Sequence, residues 1–101
     1  DEVYLGGDFI DAKFQNEGVE KFYNYIVTNF DTTTVEKKGQ VIFEFTVNEN
    51  GDVKNIKILR DLGADSAMEL IRVLRKAPKW QPASRGGKPV SINLKMPLTF
   101  K

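Results

Sequence analysis

Val90-Ser91-Ile92-Asn93-Leu94-Lys95-Met96-Pro97-Leu98-Thr99-Phe100 is the stretch whose reading decides the fold. Val90, Ile92, Leu94, Met96, Leu98 and Phe100 alternate with Ser91, Asn93, Lys95, Pro97 and Thr99, the period-two pattern of a strand with one face on a core. Pro97 has no backbone N–H to offer a central ladder, so this strand is predicted at the edge of a sheet. A long unpaired edge is a docking site or an aggregation hazard. Backbone groups of successive strand residues point in opposite in-plane directions, so with Pro97 facing the open edge, Ser91, Asn93, Lys95 and Thr99 face it too. These five residues are the predicted partner-binding set, with Lys95 and nearby cations favouring acidic partners. Four to six backbone bonds at about 1 kcal/mol net each would support weak to moderate affinity. The competing reading is an edge covered by the N-terminal arm of the chain or by a second copy.

Working backwards, the residues between Pro82 and Gly86-Gly87 read as a loop, and Pro78 ends a helix. That helix carries Ala67, Leu70, Ile71, Leu74 and Ala77 on one stripe, and Ser66-Ala67-Met68-Glu69 has the S-x-x-E spacing of a capping box. Residues 40–48 alternate Val41, Phe43, Phe45 and Val47 with Ile42, Glu44, Thr46 and Asn48. The Asn50-Gly51 pair after them accepts positive φ, which predicts a hairpin returning over residues 53–59 with Ile56 and Ile58 inward. Earlier still, Val19, Phe22, Tyr23, Ile26, Val27 and Phe30 fall on one helical face, with Asn16 as the N-cap, and Asp31-Thr32-Thr33-Thr34 breaks the helix. The order helix, strand, strand, helix, strand predicts an α+β, two-layer domain: a three-stranded antiparallel sheet with two helices packed on one face. Residues 1–13, with Val3, Tyr4, Leu5, Phe9 and Ile10 among glycines and carboxylates, read as an extended arm laid against a domain of residues 14–101.

A chain of 101 residues, 41% hydrophobic, matches one domain with one core and is too small for a deep active-site cleft. It has neither Cys nor His, which removes disulfides, thiolate metal sites and the usual general bases. No cofactor, metal or catalytic residue is expected. Ser66, Ser84 and Ser91 have no histidine to activate them. Glu49-Asn50-Gly51-Asp52 lacks the later bidentate Glu of a calcium loop and reads as a hairpin turn. Arg85-Gly86-Gly87-Lys88 precedes a strand, not a helix, and does not have the spacing of a phosphate loop. Charge is distributed unevenly: seven bases and fourteen acids precede Arg72, whereas eight bases and no acid follow from it. That basic third beside Trp80 suits nucleic acid in principle, but a lone Trp between Pro78 and Pro82 more often packs over a helix end.

Taken in order, Gly39-Gln40-Val41-Ile42-Phe43-Glu44-Phe45-Thr46-Val47-Asn48, Asn50-Gly51-Asp52-Val53, residues 56–60, Pro78-Lys79-Trp80-Gln81-Pro82 and Gly87-Lys88-Pro89-Val90 resemble the TonB C-terminal domain, over about residues 14–100. The chain departs from the Bacteroidetes-like branch of that family in two places. Phe14-Gln15-Asn16-Glu17-Gly18 stands where many relatives carry Phe-Pro-Gly-Gly, and Asn29-Phe30-Asp31-Thr32-Thr33-Thr34 replaces a Tyr-Pro and a longer segment. What the resemblance implies is a periplasmic domain of an energy-transducing protein. An upstream segment would hold it to the inner membrane and to a proton-driven motor complex. The domain would capture the TonB box of an outer-membrane transporter by strand addition to its last strand, with no catalysis and no nucleic acid. The resemblance also admits a second reading, a TonB-like interaction domain reused in a sensor or scaffold as a strand-swapped homodimer.

Overall fold

The computed structural model describes residues 9–35 and 37–100. Its elements in chain order are β1 (Phe9–Ile10), α1 (Val19–Asn29), a 3-10 turn (Thr32–Thr34), β2 (Gly39–Val47), β3 (Val53–Arg60), α2 (Ala64–Arg75), β4 (Ala83–Arg85), β5 (Lys88–Val90) and β6 (Ile92–Phe100). The three long strands form the expected antiparallel sheet, in the order β3-β2-β6 with the proline-bearing strand at an edge, and the two helices share its core. Beside it lies a feature the sequence reading did not foresee, a second small sheet in the order β1-β4-β5. The loop predicted around Gly86-Gly87 is the hairpin of this sheet, with both glycines at positive φ, 59° and 83°. The strand predicted over residues 90–100 is accordingly two strands: Val90 closes β5, Ser91 is the single residue between, and β6 begins at Ile92.

The core forms because β2 puts every second side chain on the helical side: Val41, Phe43, Phe45 and Val47 are all buried. Against them pack Phe22 and Ile26 of α1, Leu70, Val73 and Leu74 of α2, and Met96 and Leu98 of β6. Each such side chain is worth about 1.5–3 kcal/mol when removed from water. Trp80 does the packing expected of it. Its ring lies 4.8 Å from Phe22, 5.5 Å from Phe14 and 5.9 Å from Phe45, sealing the end of the two-layer stack. Its Nε1–H meets no acceptor among the described residues, so the ring is held by apolar burial.

The β2–β3 turn needs one glycine. Asn48 Oδ1 accepts from the backbone N–H of Asn50 and of Asp52, each at 2.9 Å, and Gly51 alone takes positive φ, 85°. A Cβ on Gly51 would stand 2.1 Å from the Trp80 carbonyl oxygen, while Trp80 N–H donates to the Gly51 carbonyl at 2.9 Å. The hairpin tip and the Trp80 segment are thereby locked together.

Two capping expectations are corrected. Asn16 does not cap α1; Gly18 occupies that position. Gln15 and Asn16 instead form a tight turn at positive φ, 51° and 67°, closed by reciprocal backbone bonds between Phe14 and Glu17. Asn16 Oδ1 accepts from Gln81 Nε2 at 2.8 Å, and Asn16 N–H donates to Gln81 Oε1 at 2.9 Å. Ser66 likewise lies inside α2, behind the N-cap Gly63, and its hydroxyl donates to the Gly63 carbonyl at 2.7 Å and accepts from Leu62 N–H at 3.2 Å. Glu69 does not complete a capping box. It turns to Arg72 and to the backbone N–H of Asp31.

In the arm, residues 1–8, with Val3, Tyr4 and Leu5, lie outside the described residues. Phe9 and Ile10 pair with Arg85 and Ser84, and Lys13 bridges to Gln81. This part of the arm therefore runs along β4 and, among the described residues, makes no strand pairing with β6.

Candidate interaction surface

Both outer strands of the large sheet have an unpaired side among the described residues, but they differ in regularity. β3 shifts register against β2 twice, between Ile42 and Phe43 and between Glu44 and Thr46, and Asn55 within it has positive φ, 54°. Such bulges twist a strand edge away from regular pairing, and Lys54 and Lys57 add charge to it. β6 keeps an unbroken register on β2, from Gly39 opposite Phe100 to Val47 opposite Ile92. It is the long, straight edge of this molecule.

Of the predicted binding residues, Asn93, Lys95, Pro97 and Thr99 lie within β6 with exposed side chains, and Ser91 is exposed immediately before it. Their side chains belong to the sheet face away from the helices. Thr46 Oγ1 donates to Asn93 Oδ1 at 2.6 Å, and Gln40 Nε2 donates to Thr99 Oγ1 at 3.2 Å, so cross-strand partners already hold two of them.

A second row of residues borders the same edge and was not singled out from the sequence. The apolar stripe of α1 divides in two. Phe22 and Ile26 enter the core, followed by Phe30 just beyond the helix, whereas Val19, Tyr23 and Val27 form an i, i+4, i+8 row beside β6. Val19 and Val27 are 44% and 49% exposed, and Tyr23 is half-buried. Three clefts follow this row, of about 520, 280 and 490 Å³. The first two share Val19 and Leu94, and the last two share Tyr23. The signal was present in the sequence, since six apolar positions are more than one two-layer contact needs to cover.

The far wall of the groove is fixed by a charged cluster. Arg72 donates to both Glu69 oxygens, at 2.7 and 2.6 Å, and to the Asn29 carbonyl at 3.2 Å, while Asp31 N–H donates to Glu69 Oε2 at 2.7 Å. The Arg72 hydrogen bonds, helped by the Asp31 N–H and opposed by burial, lower the Glu69 pKa from its ordinary 4.5 to about 2. Glu69 in turn raises the pKa of Arg72. This cluster ties the end of α1 and the 3-10 turn to α2. Among the described residues no group of three or more His, Cys, Asp or Glu side chains is placed to hold a metal ion.

Residues 34–101 match the family model for the Gram-negative bacterial TonB protein C-terminal domain. The chain therefore belongs to the TonB C-terminal family, a family of periplasmic, non-enzymatic interaction domains whose members engage outer-membrane transporters. No curated protein matches the chain. The family match begins after α1, so one wall of the groove lies outside the matched span. No described helix is long and apolar enough to cross a membrane.

Proposed function

We propose that this domain captures the TonB box of an outer-membrane transporter by strand addition to β6 and transmits force to it for nutrient uptake. An upstream segment would anchor residues 14–101 to the inner membrane and its motor complex. The observation that carries this reading is the unbroken edge of β6, unpaired on its outer side among the described residues and flanked by the apolar row of α1. Pro97 stands opposite Ile42 in the ladder. Because proline has no N–H, the ladder is least disturbed if position 97 is a non-hydrogen-bonded pair whose backbone faces outward. By alternation the backbone groups of Asn93, Lys95 and Thr99 then face the incoming strand as well, with Ser91 at the entry.

The test is an amide NMR titration of the chain with TonB-box peptides, repeated with the central residue of the peptide replaced by proline. Shifts concentrated over residues 91–99 and abolished by the proline are expected. Absence of shifts with every box peptide would remove the transport reading in favour of a reused sensor or scaffold domain.

A further inference from the structure

We infer that the face of the large sheet turned away from the helices docks on a bilayer of anionic phospholipid, held by Lys54, Lys57, Arg60 and Lys95. The register of β3 carries this, independently of strand addition to β6. Lys54, Lys57 and Arg60 are three apart in the chain, so a regular strand would put Lys57 on the face opposite the other two. Each register shift in β3 adds one residue, and a slip of one residue exchanges the faces. Lys54 consequently stands opposite Thr46, Lys57 opposite Glu44 and Arg60 opposite Ile42. Those β2 residues alternate with the buried Val41, Phe43, Phe45 and Val47, so they and their cross-strand partners share the outer face. From the other side of β2, Lys95 of β6 also stands opposite Glu44.

Three cations thus follow β3 at intervals of about 7 Å, and a fourth lies two strands away, about 10 Å across the sheet. All four are exposed, and the ion pairs among the described residues use Lys21, Arg72 and Lys79 instead. Glu44 is the one carboxylate in the paired rows from Gln40 to Thr46, and the other partners there are neutral. The charge is spread over a broad face and does not converge on one point, which suits many phosphates in a plane better than a single anion. These rows contain no aromatic ring on which a base could stack. The family works in the periplasm, where bilayers are the adjoining surfaces. A bilayer against the face also leaves the β6 edge open, because the edge points within the plane of the sheet.

The experiment is co-sedimentation of the 101-residue chain with vesicles of equal parts phosphatidylglycerol and phosphatidylcholine, against vesicles of phosphatidylcholine alone, at low and high salt. Partition to the anionic vesicles should be at least about tenfold stronger at low salt, and the gain should shrink at high salt. Lys54→Gln/Lys57→Gln should lower that partition about ten- to thirtyfold, since each cation near an anionic surface contributes about fivefold. Lys21→Gln/Lys76→Gln removes the same charge from the helical layer and should lower it less than about threefold. Glu44→Gln, which removes the carboxylate from the centre of the face, should raise it several-fold. Equal partition to the two kinds of vesicle overturns the inference, as does an equal loss in the two double variants. Tighter binding to a duplex oligonucleotide than to anionic vesicles at equal phosphate concentration also overturns it, in favour of nucleic acid.

Discussion

Glu69 shows how one side chain links the helical layer to the groove. The residue is 8% exposed, and its carboxylate receives two bonds from Arg72 and one from Asp31 N–H, so it is stabilised as the anion. Its folded pKa, about 2, lies below its ordinary 4.5. The sign of the linkage follows: the unfolded chain binds this proton first, so the contribution is complete above about pH 4.5 and is lost as pH falls towards 2. Subtracting the stability curve of Glu69→Gln from that of the natural chain should give a difference that is constant above that window and shrinks within it. At neutral pH the variant should lose about 2 kcal/mol in urea unfolding, because Arg72 and Asp31 N–H are left with a weaker acceptor. A difference that stays flat down to pH 2 would refute the assignment. The same scale shows what sequence spacing leaves open. Asn16 and Ser66 each have the right chemistry for an N-cap, but a turn at positive φ takes Asn16 to Gln81, and a helix beginning one turn earlier takes Ser66 inside.

Among the elements, both helices, the hairpin and the last strand were legible because each repeats a period over eight or more residues. β1, β4 and β5 have two or three residues each, too few to express any period, and the pairing of β1 with β4 joins residues more than seventy positions apart. The bulges of β3 were hidden for a related reason, since Ile56 and Ile58 read as regular inward positions while the register shifts fall along β3 on either side of Ile58, between its pair with Phe43 and that of Arg60 with Ile42, and between Lys57 opposite Glu44 and Lys54 opposite Thr46. On β6 the proline was a usable signal, and its consequence can be tested on the strand itself. If Lys95 shares the outward direction of Pro97, Lys95→Pro removes no bond to β2 and should cost less than about 1.5 kcal/mol in urea unfolding. Leu94→Pro, one residue away, removes a ladder bond and should cost at least about 3 kcal/mol, more than Leu94→Ala. Equal costs for the two prolines would mean that the outward set is misassigned.

For the molecule as a whole, the span that carries the family match and the body that buries the core are different lengths. The match starts at residue 34, yet Phe22 and Ile26 of α1 are fully buried, and Phe14 before them touches both Phe22 and Trp80. Removing residues 1–33 would uncover the faces of Phe45 and Trp80 that Phe22 covers at 5.3 and 4.8 Å, and would strip one wall from the β6 groove. At about 1.5–3 kcal/mol for each large apolar side chain lost, three such losses are comparable to the whole stability of a domain this size. A chain of residues 34–101 should therefore lack cooperative thermal unfolding and bind a hydrophobic dye, whereas the 101-residue chain melts as one unit. Cooperative melting of the shorter chain at a similar midpoint would show that α1 is an accessory to the sheet. The α1 wall of the groove would then be separable from the fold that presents the β6 edge.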